Sequence, residues 1–336
     1  MKTQITIKDI ARELGVSPST VSRALQDHPD ISKATIQEVK EFAKKYNYKP
    51  NSVALSLKTK KTNIIGVVVP EMVHHFFSTV LSGIEDVANE RGYSVIVCQT
   101  NEKYEKEVKN IETLISARIS GVIASLSKET TQFEHFQELI DDKIPLVFFD
   151  RICTGINTDR VVIDDYTGAF SAVDYLIKTG CKRIAFFSAP FTMEISKNRK
   201  NGYLDALRKN GITIDENLIY VCDSRESAMH LTEKVLKEKN RPDAFFAIND
   251  DTASGILYAV KRANLKVPED ISICGFGDGI IATTSDPPLT TVQQNGYAMG
   301  MTACKMLFKR IDNEPNTRVN HSIIKTNLTI RETTKA

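Results

Sequence analysis

From Ile64 onward, short uninterrupted apolar runs alternate with amphipathic segments, and this alternation constrains the fold more than any other feature. The runs are IIGVVVP (64–70), YSVIVC (93–98), GVIASL (121–126), PLVFFD (145–150), RVVID (160–164), RIAFFS (183–188), LIYVC (218–222), DAFFAI (243–248) and ISICGF (271–276). A strand with one wet face alternates apolar and polar residues. A run that is apolar throughout is buried on both faces, which means parallel sheet with helices on either side. Nine such units exceed one ordinary sheet, so the spacing predicts two doubly wound lobes. Near Thr290 the pattern becomes a strand, a helix over about 296–312 and a terminal strand pair over about 321–331.

The first sixty residues have a different period. Ile7, Ile10, Ala11 and Leu14 recur at helical spacing behind Thr6, a fitting N-cap. Gly15 breaks the run. Ser17 then starts a second helix with Pro18 at its first position, where proline costs little. Val21 and Leu25 give this helix an inner face. A third helix is expected over about 32–46, capped by Ser32 and lined by Ile36, Val39, Phe42 and Ala43. Residues 51–58 form one more amphipathic stretch, and Lys58–Asn63 reads as a linker.

Charge separates the two regions. Residues 1–62 hold 12 Lys or Arg against 6 Asp or Glu in a chain whose formal net charge is only +2, so the remainder is acidic. A basic head on an acidic body points to a polyanionic partner for the head alone. Two short helices joined by a tight turn, the second ringed by Ser17, Pro18, Ser19, Thr20, Ser22 and Arg23, fit a helix-turn-helix reading double-stranded DNA in the major groove. Arg23 can pair bidentately with guanine, while Ser17, Thr20 and Ser22 suit phosphates. A three-helix bundle of no special function has the same periodicity.

Collinear motifs favour the first reading. ITIKDIARELGVSPSTVSRAL and YNYKPNSVALSLK resemble the N-terminus of LacI/GalR-type bacterial transcriptional regulators. The resemblance continues through FFSTVLSGIEDVANERGY (76–93), PLVFFDR (145–151), NRKNGY (198–203), DAFFAINDDTASGILYAVK (243–261) and DPPLTTVQQ (286–294). It implies a small all-α helix-turn-helix domain followed by a two-lobed α/β domain like periplasmic binding proteins. It also implies a homodimer, a palindromic operator, repression, and a hinge helix at Asn51–Lys58 whose Leu57 wedges into the minor groove. Thr6, Asn51 and Lys58 complete the expected DNA-binding set. Two positions depart from the family pattern: Leu55 replaces an arginine before the hinge's Ser-Leu, and Gln26 replaces an asparagine after the recognition helix. The expected domains are 1–50 (head), 51–62 (hinge and linker) and 63–336 (body). One lobe would take about 63–160 with 291–336, the other about 161–290.

Ligands of such bodies sit in the crevice beyond the strand C-termini. That rule selects Phe76, Phe77, Asp150, Arg151, Asp164, Asn249, Asp250 and Asp278, with Arg199 at the start of a second-lobe helix. The resemblance implies effector contacts at Phe77, Asp150, Arg151, Asp164, Arg199 and Asn249. Carboxylates accept from hydroxyls, guanidinium donates in a fork, and an aromatic face covers an apolar ring face, so a sugar is the expected effector. Asp164, Asp165, Asp250 and Asp251 are equally placed to cap the helices they precede. By family register the frequent effector-binding aspartate falls on Gly277, one residue before Asp278. Arg151, Met193 and Ile195 replace residues that purine-binding members use, which disfavours a purine.

Other classes fit less well. No G-x-G-x-x-G follows the first strand, and no nucleophile–base pair emerges, so an enzyme is not expected. The six cysteines are dispersed, and His74-His75 has no third ligand, so neither cofactor nor metal is expected. The N-terminus MKTQITIKDIAREL has no apolar h-region, and no run of about 18 apolar residues occurs. A cytoplasmic protein without membrane contact is expected, which also disfavours a free solute-binding protein.

Overall fold

Hydroxyl caps open each helix of the head. In the computed structural model, which describes residues 5–48, 62–312 and 318–336, these are α1 (Ile7–Glu13), α2 (Pro18–Leu25) and α3 (Lys33–Lys45). Thr6 accepts from the Asp9 amide while the Asp9 carboxylate accepts from the Thr6 amide, a capping box. Ser17 accepts from the Thr20 amide and Ser32 from the Thr35 amide. Each such cap contributes about 1 kcal/mol. Gly15 turns the chain between α1 and α2 at φ +64°, a left-handed conformation that glycine adopts without strain. Ile10, Val21, Ala24 and Val39 are fully buried between the three helices. The expected hinge residues Asn51, Leu57 and Lys58 lie outside the described residues.

Residues 1–62 and 63–336 form separate compact units. In the second, continuous apolar runs become central strands for the reason given above: Val67, Val68 and Val69 of β1 (Ile64–Val69) are wholly buried. The first sheet adds β2 (Ser94–Gln99), β3 (Val122–Ala124), β4 (Leu146–Phe149), β5 (Asp159–Ile163) and β11 (His321–Ile324), in the order β11-β5-β4-β3-β1-β2, all parallel. The second holds β6 (Ile184–Ser188), β7 (Ile219–Val221), β8 (Ala244–Ala247), β9 (Ser272–Gly277), β10 (Thr290–Gln293) and β12 (Asn327–Thr329), in the order β12-β10-β9-β8-β6-β7. Only β12 runs antiparallel to its neighbour, β10.

Helices cover these sheets. They are α4 (His75–Glu90), α5 (Tyr104–Ser116), α6 (Glu134–Asp141), α7 (Asp165–Lys178), α8 (Glu194–Lys209), α9 (Arg225–Val235), α10 (Asp250–Arg262), α11 (Ile280–Thr284) and α12 (Gly296–Ile311). α4 and α12 cross closely. A methyl group at Gly300 would collide with the Val80 carbonyl, and one at Gly83 with the Tyr297 carbonyl. Two glycines facing two backbones let these helices pack closer than ordinary side chains permit.

The strand partners differ from expectation at the C-terminal end. Residues 321–331 do not pair with each other: β11 joins β5 in the first sheet and β12 joins β10 in the second. β10 belongs to the second lobe, and β5 places residues 159–163 in the first. The chain therefore passes between lobes three times, after β5, after β10 and after β11. Local pattern marks a strand, but its partner is a long-range choice that periodicity does not encode.

Candidate functional site

On the head, α2 presents the expected polar face. Ser17, Pro18, Ser19 and Arg23 are exposed, Thr20 and Ser22 are partly covered, and Val21 is turned inward. The Ser17 hydroxyl lies 2.7 Å from the Ser19 hydroxyl and 2.9 Å from that of Thr20. Three hydroxyls thus cluster where the helix N-terminus offers free amides, a setting that favours anions such as phosphate. Among the described residues the Arg23 guanidinium meets the Asp30 carboxylate at 3.9 Å, and it stays more than half exposed. Thr6 is the α1 cap, its hydroxyl 2.6 Å from the Asp9 carboxylate.

In the body, a cleft of about 590 Å³ opens between the strand C-termini of the two lobes. The first lobe contributes Phe76 and Phe77 at the start of α4, and Asp150 and Arg151 after β4. The second contributes Arg199 from α8, Asn249 and Asp250 after β8, and Phe276 from β9. Seven of the nine expected effector residues therefore line one cavity.

Arg199 is the most constrained of them. Its Nε donates to Asp165 at 2.7 Å, its Nη1 donates to the Ile248 carbonyl, and its Cζ sits 3.6 Å from the Phe276 ring centroid. The flat face is packed on the aromatic ring, as cation–π geometry favours, and Nη2 takes no part in either hydrogen bond. Burial pushes the Asp165 carboxyl up to about 6 against the opposing pull of Arg199. Asp150 is different. It is 6% exposed, and its backbone is left-handed at φ +57°, a conformation costing a non-glycine residue about 1 kcal/mol or more and concentrated at functional sites. Its closest cation is Arg151 Nε at 4.0 Å. Burial raises the Asp150 carboxyl, while Arg151 and Arg199 pull it down.

Two expected contacts lie elsewhere. Asp164 is the N-cap of α7 and accepts from the Thr167 amide at 3.0 Å, so the cap is its role and the next residue, Asp165, meets Arg199. Asp278 points to the C-terminal segment, accepting from Arg331 Nη2 at 2.6 Å and from Gln293 Nε2 at 3.2 Å. Asp250 does line the cleft, but both oxygens are taken, one by the Thr291 hydroxyl at 2.5 Å and one by the Gly279 amide at 3.1 Å. It braces the loop after β9, and burial raises its carboxyl against those two bonds. Asn249 caps α10 through the Thr252 amide and donates to the Asp223 carbonyl.

Two cleft residues escape the strand-end rule as applied to the sequence. Lys128, after β3 in the first lobe, pairs at 2.6 Å with Asp223, after β7 in the second, bridging the lobes. The Lys128 loop is held by one buried and one partly buried carboxylate. Glu107 accepts from the Ser127 amide and hydroxyl, from Thr130 and from His135, at 2.7–3.0 Å. Glu102 accepts from the Lys128 amide and from Arg151 Nη1. The run GVIASL (121–126) stops just short of Lys128, and nothing local pointed to its partner across the cleft. His74 and His75 line the cleft mouth, His74 at 2.9 Å from Glu71.

Comparison with known proteins agrees with this architecture. Residues 6–51 match the model for bacterial regulatory proteins of the lacI family, and residues 173–334 match that for a periplasmic binding protein-like domain. Catabolite control protein A of Priestia megaterium is 33% identical over 312 residues, 92% of this chain and 93% of its own. The HTH-type transcriptional repressor PurR of Vibrio atlanticus (strain LGP32) is 34% identical over 312 residues, 91% of this chain and 92% of its own. A crystal structure of the lac repressor dimer bound to operator and the anti-inducer ONPF superposes with a TM-score of 0.88 at 25% identity, covering 99% of this chain and all of that one. A polar recognition helix, a two-lobed ligand cleft and near full-length kinship converge: the chain belongs to the LacI family of bacterial regulatory proteins and is a DNA-binding transcriptional regulator.

Proposed function

We propose that this regulator acts in the cytoplasm as a homodimeric repressor of a palindromic operator and that a neutral carbohydrate in the body cleft sets its operator affinity. The observation that carries the effector class is the pairing of charges in the cleft. Lys128, Arg151 and Arg199 each already have a carboxylate partner, Asp223, Glu102 and Asp165. An anionic ligand would enter a cleft whose Lys and Arg charges are already matched by these carboxylates and would face the Asp150 carboxylate as well. A neutral polyol meets no such opposition: its hydroxyls donate to Asp150 and accept from the spare guanidinium N–H groups, and Phe76 and Phe77 cover a ring face. The operator-bound lac repressor dimer supports two copies on DNA. No helix among the described residues is long and apolar enough to cross a membrane, in keeping with the cytoplasmic reading.

A thermal-shift panel of sugars, sugar phosphates and nucleobases on the full chain tests the effector class. Binding to the folded state alone adds about 2.7 kcal/mol at a hundredfold excess over Kd, so a neutral sugar should raise Tm clearly. A shift confined to phosphorylated sugars or to nucleobases would defeat the reading. On the DNA side, Arg23→Ala should relax preference at one operator position and cost about 1–3 kcal/mol of specific affinity. The check is selection of binding sites from random DNA by parent and variant; identical selected motifs would remove Arg23 from base contact.

A further inference from the structure

A second, smaller cavity of about 160 Å³ opens off the cleft. Lys128, Arg151, Met193 and Ile195 line both, so the two spaces meet along these four side chains. Its first-lobe wall is built by the loops after β3 and β4, and its second-lobe wall by the segment leading into α8. We propose that this side pocket is a second sugar subsite, so that the effector is a glycoside of at least two units. One ring lies between Asp150 and Arg199 and the next fills the side pocket. The inference rests on the carbohydrate reading above and adds the size of the ligand to it.

Three features carry the assignment. The first is Arg151, which stands at the junction of the two cavities. Its Nη1 is held by Glu102 and the Leu126 carbonyl, and Nη2, which makes none of these bonds, donates to an oxygen of a ligand passing from cleft to side pocket. The second is the lining. Thr154 and Thr192 bring exposed hydroxyls and Phe133 an aromatic ring, the mixture that suits a sugar's polar rim and apolar face. The third is size. At about 30 Å³ per water in the liquid the pocket holds on the order of five waters, which is room for one ring and its hydroxyls. The wall is also held by the protein's own bonds, because Glu107 and Glu102 fix the 127–130 loop as described above. A wall held in this way reduces the ordering cost of binding.

Titration calorimetry on the full chain tests this. Glucose, galactose, mannose and xylose are compared with maltose, cellobiose, lactose, mannobiose and xylobiose. At least one disaccharide should bind about tenfold or more tighter than its component monosaccharides. Gly155→Trp, at a position where a Cβ meets nothing closer than the Cys153 sulfur at 3.7 Å, should remove that advantage and leave monosaccharide affinity alone. Thr192→Trp from the opposite wall should do the same. Monosaccharides binding as tightly as every disaccharide, or disaccharide affinity indifferent to both tryptophans, would overturn the subsite while leaving the carbohydrate reading intact. No heat with any saccharide, from a chain that melts cooperatively, would overturn the carbohydrate reading and the subsite with it.

Discussion

Truncating Arg199 to alanine is expected to destabilise the body by about 3–5 kcal/mol, the usual result of removing one partner of a buried ion pair, and to abolish saccharide binding. Arg199 and Asp165 are both only 3% exposed. Without the guanidinium, the Asp165 carboxylate loses its 2.7 Å donor, and the Phe276 ring loses the plane stacked on it. The pH dependence identifies the cause. In the parent, burial holds the Asp165 carboxyl at about 6, above its unfolded value, so its ionisation opposes folding. This group's favourable contribution is present at acid pH and is lost as pH rises to about 6. Removing Arg199 raises the carboxyl further, so the deficit against the parent should be full near pH 8 and much smaller near pH 5 (both about). Urea denaturation of parent and variant at the two pH values measures this; equal deficits would mean that lost packing, not an unpaired charge, is the cause. Arg199→Met combined with Asp165→Asn should recover most of the stability and none of the binding, which separates the structural role from the ligand role.

The second large effect is on DNA. Saturation of the cleft is expected to change operator affinity about 5–150-fold, corresponding to a coupling of about 1–3 kcal/mol. The cleft walls come from two lobes joined by three chain crossings, and the Lys128–Asp223 pair spans them. A ligand seated between Asp150 of one lobe and Arg199 of the other has contacts that depend on the lobe angle, and that differential is what a ligand needs to shift a conformational equilibrium. By linkage, operator DNA must change saccharide affinity by the same factor. Lys128→Ala should alter the size of this coupling, because it removes an interlobe pair whose strength also depends on the lobe angle.

How much of this was legible beforehand follows from the physics of each element. β1, β3, β4, β6, β8 and β9 announced themselves because burial on both faces removes polar residues, as in Val67–Val69 and Phe245–Phe246. β2, β5 and β7 carry apolar runs too but keep partly or fully exposed residues. The caps Thr6, Ser17 and Ser32 were legible because capping is local. The separation of β11 from β12 was not, since two short strands of mixed polarity carry no mark of which sheet they join. Asp164 and Asp165 show the limit of resolution at a helix start. One residue decides which carboxylate caps the helix and which turns to Arg199, and sequence places such boundaries only to within a residue or two. Asp278 failed for a related reason: it follows a strand, but a left-handed turn at φ +61° directs it to Arg331. Lys128 and Asp223 could be paired only once the two lobes were brought together.

The most direct test of the account is operator affinity of the full chain, measured at fixed salt, with and without the saccharide that most raises its melting temperature. Salt must be fixed because phosphate contacts make protein–DNA affinity steeply salt-dependent. The account predicts a change of about 5–150-fold in the parent and none in Arg199→Met/Asp165→Asn. An operator affinity unmoved by every ligand that stabilises the body would contradict it.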